Sequence, residues 1–163
     1  MERLWTPWRL GYVTAASRVT PDCIFCAAVA AGESDPLVVH RAERSFVILN
    51  KFPYNNGHLM VVPRRHAARL AELDTDELLE LMTLAQAAER ALMAIYRPHG
   101  FNLGINLGKP AGAGIADHLH LHVVPRWDGD TSFMAVVGET KVLPETIETT
   151  YGRLTAALSS LDS

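Results

Sequence analysis

His118, Leu119, His120, Leu121 and His122 alternate imidazole and aliphatic side chains without interruption, and Val123, Val124 and Pro125 follow directly. On an extended strand alternate side chains share a face. The three imidazoles would then stand in a row at steps of about 6.5 to 7 Å, with Leu119, Leu121 and Val123 turned toward a core. Each ring has two nitrogens that need partners, so such a row is costly beside apolar neighbours unless it is used. Three uses are compatible with it: an incidental polar strand face, a metal-binding strand, and phosphate chemistry centred on the middle residue, His120. Phosphate chemistry carries most of the weight. A second pair with chemical potential is Cys23 and Cys26, the only cysteines in the chain. A Cys-x-x-Cys pair in a chain without an apolar export segment at its start points to metal binding or redox chemistry rather than to a structural disulfide.

The elements that must position these groups can be read from periodicity and breakers. The clearest is a helix from about Thr75 to about Arg97, with Leu78, Leu81, Met82, Ala85, Leu92, Ile95 and Tyr96 forming one apolar stripe at spacings of three and four. Asp74 is placed to cap it, Glu77 lies three residues on, and Pro98 with Gly100 stops it. Short strands are expected over Leu37 to Arg41, Ser45 to Leu49, His58 to Pro63, Phe101 to Leu107 and His118 to Pro125. Asn55, Asn56 and Gly57 favour a tight turn before the third of these. A weaker helix is expected over Pro144 to Leu161.

Strands in hairpin order broken by one long helix predict an α+β domain: an antiparallel sheet of about five strands, covered by helices on one side. The first thirty residues fit that sheet poorly. Residues 1–22, with Trp5 and Trp8, read as an arm that packs on the domain or on a second subunit.

The 163 residues suit a single domain with a full core, and 48% apolar content excludes disorder. No run of 18 apolar residues occurs, so no membrane span is expected, and the chain reads as cytoplasmic. A net charge of −3 excludes the broad basic surface of a nucleic-acid polymer binder but permits a local anion site.

The alternating block resembles the signature of the histidine triad superfamily, His-φ-His-φ-His-φ-φ with φ apolar. The similarity extends to Asn50 through Pro63, in which an Asn precedes a Gly57-His58 pair, and to Asn106-Leu107-Gly108 with the glycine-rich stretch Lys109 to Ile115. Together these cover about Cys23 to Phe133. Pro125 to Asp130 and Leu4 to Arg9 are similar to the branch that contains diadenosine tetraphosphate phosphorylases and fragile histidine triad hydrolases. The resemblance implies a three-part chain: an arm over 1–22, a core over 23–135 and a C-terminal helical segment over 136–163.

It also implies a mechanism. His120 would attack the α-phosphorus of a nucleotide, expel a leaving group and form a nucleotidyl-histidine intermediate that water or inorganic phosphate resolves. A neutral imidazole suits this because its unperturbed pKa is about 6.5. His122 and His58 would donate hydrogen bonds to phosphate oxygens, aided by backbone amides around Gly112 and Gly114. Asn50 would meet the ribose hydroxyls and Asn106 the phosphates or leaving group. Lys51, Lys109 and Arg126 are cations near enough in sequence to attract a polyphosphate. Many bacterial relatives complete a Cys2His2 zinc site of structural type with the first triad His and one upstream, here Cys23, Cys26, His66 and His118. One departure stands out: relatives with a hydroxyl residue three or four positions before the first triad His have Ile115 and Gly114 there in this chain.

The implied substrates are dinucleoside polyphosphates such as diadenosine tetraphosphate, cleaved by phosphorolysis or hydrolysis. Alternatives are hydrolysis of adenosine 5'-phosphoramidates, or nucleotide binding without turnover as a regulatory module. The family resemblance also implies a homodimer formed through the long helix and an edge strand. His40 and His99 are left without a role, His99 as a helix-end or surface residue.

Overall fold

The computed structural model describes residues 23–130 and 143–159. Five strands form one antiparallel sheet: β1 (Val38–Arg41), β2 (Ser45–Leu49), β3 (Leu59–Pro63), β4 (Gly100–Ile105) and β5 (Leu121–Arg126), in the spatial order β1-β2-β3-β5-β4. Three helices accompany it among the described residues: α1 (Ile24–Ala30), α2 (Thr75–Tyr96) and α3 (Ile147–Ser159). The α+β class and the strand count agree with the expectation. The arm with Trp5 and Trp8 lies outside the described residues, as do residues 131–142 and 160–163.

Helices cover the sheet on both faces rather than on one. On one face Val47, Leu49, Leu59, Val61, Leu121 and Val123 meet Leu81, Ala88 and Leu92 of α2 and Leu154 and Leu158 of α3. On the other, Phe46, Ile48, Met60 and Val62 meet Phe25 and Ala28 of α1. The cause lies in β2 and β3, whose five residues each are all buried. Strands that are apolar on both sides need cover on both sides. A seven-residue helix from the poorly fitting first thirty residues supplies it, and Arg41 ties its C-terminal end by donating to the carbonyls of Ala28 and Gly32.

The long helix begins where expected. Asp74 accepts from the Glu77 N–H at 2.8 Å while the Glu77 carboxylate accepts from the Asp74 N–H at 3.0 Å, a complete capping box. It ends at Tyr96, and Arg97 takes a left-handed conformation (φ 47°) before Pro98. The buried stripe is rotated from the one expected: Leu84 and Ala88 lie inside, whereas Met82 is 55% exposed.

The final strand differs in an informative way. It starts at Leu121, so only His122 of the three histidines belongs to the ladder. Pro63, at the facing end of β3, has no N–H to offer, and its carbonyl accepts from the His118 ring instead, at 2.9 Å. The Leu119 N–H turns to the Ala67 carbonyl at 2.7 Å. Sidedness survives: Leu119, Leu121 and Val123 are all in the α2-side core, and the histidines face the α1 side. β4 also stops two residues short of expectation, at Ile105, and α3 falls inside the expected span.

Gly57 sets the aim of His58. It has φ 75°, and a Cβ there would lie 2.7 Å from the Leu92 Cδ2. Both the turn and the close approach to α2 require glycine.

Candidate functional site

Phe25 of α1 is fully buried, with its ring 5.3 Å from that of His118 and 5.2 Å from that of His120. It separates two environments. On one side, one ligand-type atom each from Cys23, Cys26, His66 and His118 lies within 4.8 Å of the others. The His118 Nδ1 is 3.2 Å from the Cys23 Sγ and 3.7 Å from the Cys26 Sγ, and the His66 Nδ1 is 3.3 Å from the Cys26 Sγ. A tetrahedral zinc with Zn–S near 2.3 Å and Zn–N near 2.0 Å would set sulfur-to-nitrogen edges of about 3.6 Å. The three distances straddle that value. The His118 Nε2–H donates to the Pro63 carbonyl, which leaves Nδ1 unprotonated toward the thiols. Burial, chiefly, lowers the His118 pKa, favouring the neutral ring that a metal needs. All four residues named from the sequence therefore come together.

On the other side the ring nitrogens are used in the reverse sense. The His120 Nδ1–H donates to the His118 carbonyl at 2.9 Å, leaving its Nε2 lone pair directed away from the backbone. His120 is 4% exposed, and burial lowers its pKa so that it is neutral at pH 7. The His58 Nδ1 accepts from the Tyr54 N–H at 3.0 Å, which puts the His58 proton on Nε2. That Nε2 lies 2.9 Å from the His122 Nδ1, which must accept. The His122 proton is consequently on Nε2, available to an oxygen anion. Burial, and after it the neighbouring His120, push the His122 pKa down to about 4.

This chain of donors differs from the expected geometry at one residue. His58 is 1% exposed and both its nitrogens have protein partners, which places it behind His122 and leaves neither nitrogen directed at a phosphate. Tyr54 supports the pair, its ring centroid 4.6 Å from that of His58 and 5.9 Å from that of His122.

The remaining candidates divide. The Asn50 side-chain oxygen accepts from the Phe52 N–H at 2.9 Å, the local turn bond, and its amide nitrogen lies 3.5 Å from the His58 Nε2, within the histidine group. Asn106 lines a cleft of about 300 Å³ that begins at His122 and runs over one face of the β4–β5 pair. Gly112 and Gly114 lie in the β4–β5 connection and do not line that cleft; Gly112 ends a short 3-10 turn at φ 91°. Ile115 packs against the core beneath α1.

Of the three cations, Lys51 and Lys109 are exposed and do not line the cleft. Arg126 does, but not as a free charge. Asp130 holds it with two hydrogen bonds, Nε to Oδ2 at 2.6 Å and Nη2 to Oδ1 at 2.8 Å, and Nη1 donates to the Asn102 Oδ1 at 2.7 Å. The guanidinium beside Asp130 holds that carboxyl far below the usual range. Asn55, buried at 5%, donates to Asp130 at 2.7 Å and to the Pro125 carbonyl at 3.0 Å. Sequence reasoning treated Asn55 as a turn former only and passed over Tyr54 and Asp130. The Asn55 contacts span 70 residues or more and leave no local signal, whereas Asp130 and Tyr54 lie only four residues from Arg126 and His58. His99 is a surface residue as expected, with its Nδ1 3.1 Å from the Asp128 carboxylate.

The pattern of a HIT domain matches residues 31–129, and that span holds all five strands, α2 and the three triad histidines. The chain belongs to the HIT-domain family. Cys23, Cys26 and α1 precede the matched span. The chain is 43% identical over 157 residues to a Mycobacterium tuberculosis protein named AP-4-A phosphorylase, covering 92% of this chain and 80% of that one. It is similar to a solved zinc-bound histidine triad family protein from Mycobacterium smegmatis, with a TM-score of 0.71, 32% identity, and coverage of 87% and 96% of the two chains. The diadenosine triphosphate hydrolase of Plasmodium falciparum, solved with cyclomarin A, shares the fold at 20% identity and a TM-score of 0.62, over 79% of this chain and 78% of that one. Among the described residues of this HIT-family chain, no helix is long and apolar enough to cross a membrane.

Proposed function

We propose that this HIT-family enzyme cleaves dinucleoside polyphosphates such as diadenosine tetraphosphate, with His120 as nucleophile. The observation that carries the reading is the opposed use of ring nitrogens at His120 and His122: one presents a lone pair, the other a proton, on the same face. A lone pair beside a donor is what attack on an α-phosphorus needs. The 43% identity to a protein named AP-4-A phosphorylase supports the substrate class and favours phosphorolysis.

In the first step the His120 Nε2 bonds to the α-phosphorus and the bond from phosphorus to the leaving oxygen breaks, releasing a nucleoside polyphosphate. The His122 Nε2–H holds a phosphoryl oxygen while charge shifts across it, with His58 fixing the His122 tautomer. Asn50 meets the ribose and Asn106 the phosphates, with amides of the Gly112 to Gly114 loop as further donors. In the second step inorganic phosphate or water attacks the same phosphorus and the bond to Nε2 breaks. The Cys23, Cys26, His66 and His118 group fits a structural zinc, which when bound would supply rigidity rather than reaction chemistry. Its effect reaches His120 because the His118 carbonyl is the acceptor that orients the His120 ring.

The same reading makes the chain one compact domain in the cytoplasm and a homodimer joined through α2 and an edge strand, with no nucleic-acid polymer among its partners. Incubation with diadenosine tetraphosphate, with and without phosphate, tests the activity. Phosphate-dependent release of ATP plus ADP marks a phosphorylase, and ATP plus AMP marks a hydrolase. Turnover of adenosine 5'-phosphoramidate alone would replace this substrate assignment, and tight nucleotide binding with no turnover of either would make the chain a regulatory module.

A further inference from the structure

The cleft beside His122 extends beyond the two residues, His122 and Asn106, that the steps just described place on the phosphates, and its part along Asn102, Gly104, Val124 and Arg126 has no function in them. It is built by register. Gly104 lies opposite His122, Asn102 opposite Val124, and Gly100 opposite Arg126, so the side chains of His122, Val124 and Arg126 and the positions of Asn102 and Gly104 share one face of the β4–β5 pair. Cross-strand partners on one face stand about 5 Å apart. Gly104 contributes no side chain, and a Cβ placed there would meet nothing within 4 Å. That gap opens the groove. Val124 floors it, Tyr54 stands at its edge with 38% exposure, and Asn102, Asn106 and Arg126 supply amides and a guanidinium. From His122 to Arg126 the strand advances about 13 Å.

Charge decides what kind of group such a groove suits. The Arg126 cation is matched by Asp130 through two short hydrogen bonds, and Asn55 and the Trp127 N–H also donate to that carboxylate. The far end of the cleft is thus close to neutral. A polyphosphate would gain little attraction there and would face the Asp130 charge. A flat, uncharged heteroaromatic group has an apolar floor, a flanking phenol ring and amide partners for its edge.

We propose that this cleft is the subsite for the distal nucleoside of the dinucleoside polyphosphate, the one that departs with the leaving group. The inference rests on the proposed activity, since it needs the attacked phosphorus at His120 and the leaving group on the His122 side. Gly104 is its specificity-determining residue, because the missing side chain is what admits the base.

Gly104→Leu fills the cleft from an unstrained position, and Asn102→Ala removes an amide without filling it. Each is measured for kcat/KM with diadenosine tetraphosphate and with adenosine 5'-phosphoramidate, which has no distal nucleoside. The expected result is a fall of about tenfold or more in the ratio of the two values for Gly104→Leu, and a smaller fall for Asn102→Ala. A ratio within about twofold of wild type for both variants overturns the subsite. So does a change confined to the KM for phosphate, which would make the cleft the acceptor site. Binding separates this outcome from failure of the activity itself. In a His120→Asn background, diadenosine tetraphosphate should bind at least about tenfold more weakly once Gly104→Leu is added, while AMP binding changes by less than about twofold. Equal weakening of both ligands, or of neither, overturns the subsite whether or not wild-type protein turns over either substrate.

Discussion

The proposed metal end and the proposed phosphate end of the histidine row use the same side chain in opposite senses. At the metal end the His118 Nε2–H is tied to the Pro63 carbonyl, and its Nδ1 faces the two thiols. At the phosphate end the Nδ1 atoms of His120 and His122 are tied to the protein, and their Nε2 atoms are left for a ligand. Two residues of chain separate a ring suited to a metal from a ring suited to phosphorus. Composition does not distinguish them; what does is which nitrogen the backbone or a neighbouring ring has occupied. The two ends are also joined, because one residue, His118, offers its ring to the first and its carbonyl to the second.

The sharpest way to break this comparison is at His120. His120→Ala removes the triad lone pair left for a ligand, those of His118 and His122 being turned to the thiols and to His58, so turnover of diadenosine tetraphosphate should fall by at least about 10³-fold. A nucleotidyl adduct seen by intact mass in wild-type protein should vanish. An adduct that persists would move the nucleophile elsewhere and dissolve the contrast.

The metal end should respond in stability first and in activity second. Cys26→Ser should lose one equivalent of zinc, measured by elemental analysis of the purified protein. It should also lower the melting temperature by about 5 to 10 °C, as expected when roughly 3 kcal/mol is lost from a chain of this size. Activity at low temperature should drop by only about tenfold or less, through looser placement of the His118 carbonyl. Wild-type protein that carries no zinc after preparation with it would favour a free thiol pair and leave His118 as an ordinary buried ring.

How far the sequence carried depends on what kind of signal each feature leaves. The row of histidines, the Asp74–Glu77 cap and the alternation of Leu119, Leu121 and Val123 are local patterns, and each appears in the structure where it was expected. Alternation reports sidedness but not hydrogen bonding, which is why it extended the last strand back to His118 although Pro63 cannot sustain the ladder there. The second sheet face was missed because α1 has only seven residues, too few to show a period. Arg126 reads as a free cation although Asp130 lies only four residues on, because the turn that folds Asp130 back and the buried Asn55, 75 residues away, that holds its carboxylate leave no periodic pattern.

His58 tests whether tautomer control, and not the mere presence of imidazoles, separates the two ends. Removing its Nε2–H frees the His122 Nδ1 to take the proton, so that the lone pair rather than the N–H faces the ligand. His58→Ala should lower kcat by about 10 to 100-fold while KM changes little. His58→Gln, which can place an amide N–H near the same nitrogen, should recover part of the loss. Equal losses in the two variants would argue that His58 only fills space.

The smallest effect concerns how the metal end is anchored. Arg65, next to His66, donates to the Glu77 carboxylate at 2.8 and 2.7 Å and to the Glu72 carbonyl at 2.6 Å, which ties the His66 segment to the first turn of α2. The bond from Arg65, aided by the Asp74 backbone and opposed by burial, lowers the Glu77 pKa to about 2. A carboxyl whose folded pKa lies below its unfolded value stabilises the fold fully above the unfolded pKa, about 4.3 for Glu, and loses that contribution as pH falls toward 2. Glu77 is buried but Arg65 is half exposed, so solvent screening reduces the contribution to about 1 to 2 kcal/mol. Glu77→Gln should therefore lower stability by that amount at pH 7 and flatten the acid limb of the stability curve between about pH 4.3 and 2, read by urea unfolding. The loss should appear with and without zinc, because the tether acts on the chain and not on the ion. If it appears only in zinc-loaded protein, the pair belongs to the metal shell, and the boundary between the two ends must be drawn through α2 instead of at Phe25.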